Sequence, residues 1–109
     1  VLILGLTFKE NCPDVRNTKV VEIVKELAAY GAKVDVCDPW VDADEAKYEY
    51  GIDLVNEPEK GAYDVVVVAV AHDQFKELGK QGIRDFGKET SILYDIKYVL
   101  PADAVDDRL

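Results

Sequence analysis

One uninterrupted apolar run constrains the fold of this chain more than any other feature: Val65–Val70 consists only of valine and alanine. A strand with one face in water alternates apolar and polar side chains, whereas an unbroken apolar run is typical of a strand covered on both faces. Such strands occur in parallel sheets that have helices packed on each side. The run therefore predicts an α/β protein with a buried sheet.

Alternating strand and helix patterns complete this prediction. Strands are predicted at Val1–Leu4, Lys33–Cys37, Val65–Val70 and Ser91–Tyr94. Helical patterns run from Thr18 to Tyr30 with Asn17 or Thr18 as the cap and Gly31 as the stop, from Asp42 to Tyr50, and from Gln74 onward, while Ile52–Val55 is a brief extended segment. The alternation predicts right-handed crossovers and a doubly wound, mostly parallel, Rossmann-like sheet in three αβα layers.

Length and charge limit the classes of partner. The 109 residues suffice for one domain with a single core. Acidic residues outnumber basic ones by 22 to 13, giving a net charge of −9, which disfavours nucleic acid and anionic membrane surfaces. The sequence contains neither a membrane-length apolar run nor a signal-peptide pattern. Any anion site must be small and local.

The cysteine and histidine content excludes a zinc site. Cys12 and Cys37 lie far apart, and the single histidine leaves too few nitrogen and sulfur ligands for zinc. Reduced cysteines in a cytoplasmic protein are the simplest expectation. The chain also opens inside a predicted strand and has no methionine, so we expect residues 1–109 to be a piece of a longer protein.

Polar residues cluster where the predicted strands end. They are Thr7–Arg16 after the first strand, Asp38 after the second, His72 and Asp73 after the third, and Asp95 with Lys97 after the last. Ligands of open α/β sheets bind outside the carboxyl ends of the strands. The sequence therefore predicts a site at this edge.

The first of these segments carries the most chemistry. It contains Lys9 and Arg16, and a lysine near a helix start suits a diphosphate, while arginine contacts phosphate or carboxylate with two bonds. Gly5 stands alone, without the glycine pattern of a dinucleotide fingerprint or a Walker loop. The alternative is that Lys9–Glu10 and Asp14–Arg16 are surface ion pairs.

A family resemblance favours the ligand site. Residues 5–18, Gly-Leu-Thr-Phe-Lys-Glu-Asn-Cys-Pro-Asp-Val-Arg-Asn-Thr, resemble the opening of the carboxyl-terminal domain of UDP-glucose and GDP-mannose dehydrogenases, with the pattern G-x-x-[FY]-K-x-x-x-x-D-x-R. Asp38-Pro39 and Tyr94-Asp95-Ile96-Lys97 are also similar, so the resemblance covers nearly the whole chain. The spelling of residues 11–14 and 16–18 is similar to the branch that oxidises UDP-N-acetylhexosamines for bacterial capsule, O-antigen and Vi-type polysaccharides.

The resemblance implies a binding domain without a catalytic group. Family enzymes oxidise a sugar alcohol to a carboxylate in two NAD-dependent steps, through a thioester on a cysteine of a central region. An upstream Rossmann domain binds most of the NAD. Residues 1–109 are then one UDP-sugar-binding domain that is inactive alone, and neither Cys12 nor Cys37 is the nucleophile. The full-length enzyme is expected to be a cytoplasmic homo-oligomer.

The resemblance also assigns roles to individual residues. Phe8 and Lys9 match substrate contacts, and the following loop lines the same cleft. Lys97 stands where UDP-glucose enzymes usually have arginine. The implied substrate-binding residues are Phe8, Lys9, Asn11, Asp14 and Lys97; Arg16 is the implied NAD contact. Lys9 and Lys97 are predicted to point into one groove with Arg16 at its rim.

Other polar and aromatic residues receive structural interpretations. His72 either touches ligand or caps the following helix, and capping is the favoured interpretation. Asp38 is interpreted as structural, and Trp40 and Phe75 as packing residues. The alternative function is a non-catalytic, flavodoxin-like interaction or regulatory module, such as a response receiver. A receiver needs an acidic cluster after its first strand, and this chain has Gly5-Leu-Thr there.

Overall fold

A computed structural model of the chain describes residues 1–16, 18–96 and 107–108, the last two by backbone alone. The strands are β1 (Leu2–Leu4), β2 (Asp35–Cys37), β3 (Tyr63–Val68), β4 (Gly87–Asp95) and β5 (Asp107–Arg108), and the helices are α1 (Val20–Ala29), α2 (Ala43–Tyr50) and α3 (Asp73–Arg84). The strands form one sheet in the order β2-β1-β3-β4-β5, with every pairing parallel. The doubly wound α/β prediction is confirmed.

Two apolar clusters cover the two faces of the sheet, as the unbroken valine run requires. On one face, Leu2, Leu4, Val66 and Val68 pack with side chains from α3, Phe75 among them. On the other face, the alternate strand residues pack against α1 and α2. They include Ile3, Val36 and Val67 from the strands, with Val20, Val21 and Ala46 from the helices. Successive strand residues therefore face opposite layers.

The four predicted strands are present, with shifted ends. β3 begins at Tyr63 and ends at Val68, so Ala69 and Val70 lie beyond the strand; both stay buried, and the Ala69 amide still donates to the Leu4 carbonyl at 2.9 Å. β4 begins at Gly87, four residues before the prediction. The extended segment at Ile52–Val55 is reduced to one parallel bridge, between Leu54 and Val36. Burial identified these strands, but hydrogen bonding sets their ends.

The helices follow their predicted patterns with local differences at the ends. Lys19 takes the N-cap position of α1, and Thr18 instead accepts a hydrogen bond from the Val20 amide. Asp42 caps α2, and Gly51 ends it in the left-handed conformation. α3 begins at Asp73, runs to Arg84 and is interrupted by a non-helical Gly79. The described residues contain no helix long and apolar enough to cross a membrane.

Gly5 shapes the connection that leaves β1. Its φ of 108° is a backbone conformation that favours glycine. An added Cβ would lie 2.6 Å from the Cβ of Val70, so the chain after β3 occupies the space that the missing side chain leaves. Gly5 therefore permits the chains leaving β1 and β3 to approach each other at the carboxyl edge of the sheet.

Candidate functional site

A groove of about 280 Å³ lies at this carboxyl edge, which is where the sequence predicts a site. Residues that follow β1, β3 and β4 line it together with the start of α1. They include Thr7, Phe8, Lys19, Val20, Val70 and Ile96. Most of the lining is apolar, with an aromatic ring and a lysine among it, a mixture typical of small-molecule sites.

The site loop, residues 7–16, borders this groove and is fixed at several points. The Phe8 amide donates to the Asp14 carbonyl at 3.0 Å and closes the loop on itself. Val15 is fully buried, and its carbonyl accepts a hydrogen bond of 2.6 Å from the Tyr50 hydroxyl. Asn11 has a φ of 55°, which makes a tight reversal in the middle of the loop. The site loop therefore has a defined conformation that hydrogen bonds and packing hold in place.

Two side chains of the site loop remain available for a ligand. Phe8 is 53% exposed although it is aromatic, and it lines the groove. Lys9 is exposed, and its ammonium has no hydrogen-bond or ion-pair partner in the described part of the chain. The surface pair that Lys9 was expected to form with Glu10 in the alternative interpretation is not formed.

The second surface pair of that alternative is formed. The Arg16 guanidinium donates from Nε at 3.0 Å and from Nη2 at 3.2 Å to the two carboxylate oxygens of Asp14. The Asp14 carboxylate also accepts from the Arg16 amide at 2.9 Å. These hydrogen bonds lower the pKa of Asp14 and raise the pKa of Arg16. Since the Arg16 side chain is 82% exposed, a ligand can still reach its outer face.

Beneath the site loop lies a buried carboxylate. The Asp38 side chain, at the end of β2, is entirely shielded from water. One of its oxygens accepts from the amides of Leu6 at 2.6 Å and Thr7 at 3.1 Å, and the other from the Trp40 amide at 2.8 Å. Asp38 is thus the structural residue that the sequence indicates, and it holds the chain leaving β1.

His72 completes this network from the end of β3. Its Nδ1 lies 2.8 Å from the Asn11 amide nitrogen, which is a donor, so Nδ1 accepts and the ring proton belongs on Nε2. That Nε2 lies 2.9 Å from the Asp38 carboxylate and 3.1 Å from the Thr7 hydroxyl, which itself donates to the Lys9 carbonyl. One buried imidazole therefore joins the carboxyl ends of three strands.

His72 is the N-cap residue of α3, as the favoured interpretation has it, whereas contact of its side chain with a ligand stays an untested alternative. Its backbone occupies the N-cap position of α3, but its side chain makes no capping bond and is 0% exposed, so it does not line the groove. The Asn11 side chain does the capping, since its Oδ1 accepts from the Asp73 amide at 2.9 Å. The physical reason is that the Asp38 carboxylate holds the imidazole inside.

The side chains around this network are packed as expected. The ring of Phe75 lies 5.4 Å from that of His72, and the ring of Trp40 lies 6.2 Å away.

Burial raises the pKa of Asp38, but hydrogen bonds from His72 and from backbone amides outweigh it and leave the pKa below its ordinary value of 3.8. Asp38 is therefore stabilised as the anion.

The network could have been found from the sequence by combining two signals. Thr7, Asp38 and His72 each follow an apolar strand, and the predicted parallel sheet brings strand ends together. The placement was correctly predicted, but their mutual contact was not.

Lys97 and Asn17 lie outside the described residues, so the shared groove of Lys9 and Lys97 stays a prediction.

The two cysteines do not form a disulfide, and both thiols are free. Burial, with the neighbouring Asp38 charge, raises the pKa of Cys37 to about 11. The thiol is thus held in the unreactive protonated form at neutral pH. The described residues contain no group of three side chains suited to a metal ion.

The β1–α1 connection does not fit a nicotinamide dinucleotide as its main site. A dinucleotide cradle uses glycines so that a pyrophosphate can approach the backbone. At Gly5 that space is filled by Val70, and eleven residues separate Phe8 from the start of α1 at Val20, with a closed loop between them.

The fold and the groove define an α/β ligand-binding domain of the doubly wound class. Residues 2–102 match the profile of the UDP-glucose/GDP-mannose dehydrogenase family, UDP binding domain. The chain belongs to this family, and the predicted resemblance is confirmed.

Relatives within the family narrow the comparison. The chain is 59% identical over all of its 109 residues to a UDP-N-acetyl-D-glucosamine 6-dehydrogenase of Salmonella typhi, and equally to one of Pseudomonas aeruginosa. It is 45% identical over 106 residues to Protein CapL of Staphylococcus aureus. The chain spans about a quarter of the length of each of these relatives.

Solved structures agree with the fold. A UDP-glucose dehydrogenase from Pyrobaculum islandicum is 29% identical, with a TM-score of 0.74 over 98% of this chain and 24% of that one. A UDP-D-ManNAc dehydrogenase from Pyrococcus horikoshii gives the same TM-score at 22% identity, covering 98% of this chain and 24% of that one. The second likeness concerns the fold alone.

Proposed function

We propose that this chain is the UDP-sugar-binding domain of an NAD-dependent UDP-N-acetylhexosamine 6-dehydrogenase, which makes a UDP-N-acetylhexosaminuronic acid for surface polysaccharide. The observation that carries the proposal is the 59% identity, over the whole chain, to two UDP-N-acetyl-D-glucosamine 6-dehydrogenases. The oxidation itself takes place on other regions of the longer enzyme. This domain closes over the nucleotide end of the substrate.

The free ammonium of Lys9 is the proposed contact to the diphosphate. The chain carries a net charge of −9, so a dianionic ligand is repelled by most of its surface and needs a local cation. Lys9 is exposed at the carboxyl edge and has no partner among the described residues. Phe8, the preceding residue, lines the groove and supplies an apolar surface there. Together they match the two ends of a nucleotide, one charged and one aromatic.

Asn11 and Asp14 belong to the proposed substrate site with a narrower role. The Asn11 oxygen is already bonded to the Asp73 amide, and Asp14 is already paired with Arg16. Each side chain therefore helps to hold the conformation of the site loop. The Asn11 side chain keeps only its own N–H groups for a ligand. Lys97 is proposed as a second cation facing the same diphosphate, on the strength of the family resemblance.

Arg16 is the proposed contact to NAD. Its guanidinium is 82% exposed and is oriented by Asp14, which suits a group that reaches a cofactor on a neighbouring domain. When bound, NAD accepts a hydride. Its other contacts with the protein are proposed to come from an upstream Rossmann domain. We also propose that the longer enzyme is a cytoplasmic homo-oligomer that binds neither nucleic acid nor membrane; free thiols at Cys12 and Cys37 suit the reducing cytoplasm.

The test is an oxidation assay on the full-length enzyme that contains this chain. UDP-N-acetylglucosamine, UDP-N-acetylgalactosamine and UDP-glucose are each supplied with NAD, and NADH and the sugar product are quantified. We expect two NADH for each uronic acid formed, with either acetylated sugar preferred over UDP-glucose. Oxidation of neither acetylated sugar, or a preference for UDP-glucose over both of them, would contradict the proposal.

A further inference from the structure

His72 is the single histidine of the chain, and the proposed function gives it no task. It is completely buried and does not line the groove. Its ring is nevertheless used on both nitrogens, by Asn11 on one side and by Asp38 and Thr7 on the other. A buried polar ring whose two nitrogens are both hydrogen-bonded constrains its neighbours strongly.

We propose that His72 is a positioning residue that sets the conformation of the site loop, and thereby places Phe8 in the groove and Lys9 next to it on the exposed part of the loop. The ring acts in its neutral form with the proton on Nε2. The ligand named in the tests below, UDP, rests on the proposed function, whereas the effect on the loop does not.

The contact that carries this inference is the one between Nδ1 and the Asn11 amide. Asn11 has a φ of 55°, a conformation that costs an ordinary residue free energy and persists only where its surroundings hold it. The amide at this reversal has its acceptor in the His72 ring at 2.8 Å. Loss of that acceptor leaves the amide without a protein partner, and the reversal loses its support.

A second contact couples the loop to α3. The Asn11 side-chain oxygen accepts from the Asp73 amide, directly after His72 in the chain. The loop therefore contacts the β3–α3 connection through the backbone and the side chain of the same residue. Lys9 lies two residues before Asn11, and its carbonyl accepts from the Thr7 hydroxyl. The backbone that carries Lys9 is thus fixed on both sides by groups that meet at His72.

The two nitrogens of the ring can be tested separately. In His72→Asn, the side-chain oxygen replaces Nδ1 and keeps an acceptor for the Asn11 amide, but the donor to Asp38 is lost. In His72→Gln, the side-chain nitrogen replaces Nε2 and keeps the donor to Asp38, but the acceptor for Asn11 is lost. Tyr63→Phe is the matched control, because it removes a buried hydroxyl that donates to Asp35 far from the loop.

The experiment compares these three variants with wild type in the full-length enzyme, by calorimetric titration with UDP, urea unfolding and hydrogen exchange of peptides within residues 7–16. We expect His72→Gln to weaken UDP binding roughly 10-fold and to speed exchange in the site loop. His72→Asn should bind within about 3-fold of wild type even though it is less stable, since it keeps the loop contact. Tyr63→Phe should change neither binding nor loop exchange.

Two results would overturn the inference. One is UDP affinity that follows overall stability in both His72 variants, and the other is His72→Asn binding more weakly than His72→Gln. If wild type does not bind UDP, the proposed function fails, and the exchange of the site loop alone decides the role of His72. If neither His72 variant folds, Thr7→Val serves in their place; it removes the hydroxyl between His72 and Lys9, and unchanged loop exchange would refute the inference.

Discussion

The two edges of the sheet use polar residues in opposite ways. At the carboxyl edge, Asp38 and His72 are completely buried and each hydrogen bond they make holds another segment in place. At the amino edge, charged groups stay near water; for example, Lys88 and Asp64 form an ion pair of 3.1 Å with side chains 52% and 75% exposed. A cavity at the amino edge, lined by Val1, Lys33, Asp35 and Tyr63 among others, is larger than the groove at the carboxyl edge, at about 360 Å³ against 280 Å³.

The two edges differ in how their polar groups are supported as well as in cavity size. Burying polar groups is costly unless each is hydrogen-bonded, so a fully bonded network beneath a surface loop indicates that the loop conformation matters. Above that network, Phe8 and Lys9 are exposed. The amino edge has surface charges but no corresponding buried support in the described residues. The carboxyl edge therefore combines rigid support with available side chains, as a binding site requires.

The largest difference between the edges is expected from their glycines. Gly5→Ala should lower the free energy of unfolding by about 3–5 kcal/mol, because the new Cβ collides with Val70 and φ is unfavourable. Gly61→Ala, near the amino edge, has a similarly positive φ but open space around it, so about 1 kcal/mol is expected. Urea unfolding of both variants measures this. Equal losses would show that Gly5 packing is unimportant.

A smaller difference is expected between two aspartates. Asp38→Asn should cost about 2–3 kcal/mol, because an amide nitrogen then faces buried donors that the carboxylate had satisfied. Asp35→Asn should cost less than about 1 kcal/mol, since one oxygen still accepts from the Tyr63 hydroxyl. Thermal unfolding at neutral pH compares them. A larger loss for Asp35→Asn would reverse the assignment of the buried support.

The ionisation of Asp38 predicts that the stability of the fold depends on pH. The pKa of Asp38 is lower in the folded protein than its ordinary value of 3.8, so its ionisation stabilises the fold above that value. This stability is lost as the pH falls below about 4, through the lower folded pKa. Unfolding free energy measured from pH 6 to pH 2 should fall less steeply in Asp38→Asn than in wild type. Parallel slopes would contradict the assignment.

The smallest effect is expected from the exposed pair on the site loop. Arg16→Gln removes the ion pair with Asp14 at the surface, where water screens both charges. The midpoint of urea unfolding should match that of Lys88→Gln, which removes the exposed pair with Asp64 at the amino edge. A clear loss of stability for Arg16→Gln alone would mean that this pair supports the loop in addition to orienting the guanidinium.

The sequence predicts the sheet well because burial on both faces leaves a direct mark on it. Val65–Val70 contains no polar residue for that reason, and the parallel order follows from the helices between strands. The strand end at Val68 was not predictable, because the close approach of Gly5 to Val70 depends on the whole fold. Phe8 and Lys9 were placed correctly at the edge through their position in the chain.

Contacts between distant residues were the part that the sequence did not reveal. His72 and Asn11 are 61 positions apart, and no periodic pattern links them. Each alone has an ordinary explanation: a histidine before a helix suggests a cap, and the family resemblance assigns Asn11 to the substrate site. The network appears only when three strand ends are brought together, and the Asn11 side chain then accepts the hydrogen bond from the Asp73 amide that the His72 side chain does not accept.

The central claim is that Lys9, the cation of the site loop whose ammonium has no partner among the described residues, meets the diphosphate. The most direct measurement is calorimetric titration of UDP into full-length Lys9→Ala, with Lys33→Ala as the matched control, because Lys33 is an exposed lysine lining the larger amino-edge cavity. Lys9→Ala should weaken binding roughly 10- to 150-fold, the loss expected for a charge-assisted contact. Lys33→Ala should bind as wild type does. Unchanged affinity in Lys9→Ala, or a larger loss in Lys33→Ala, would contradict the account.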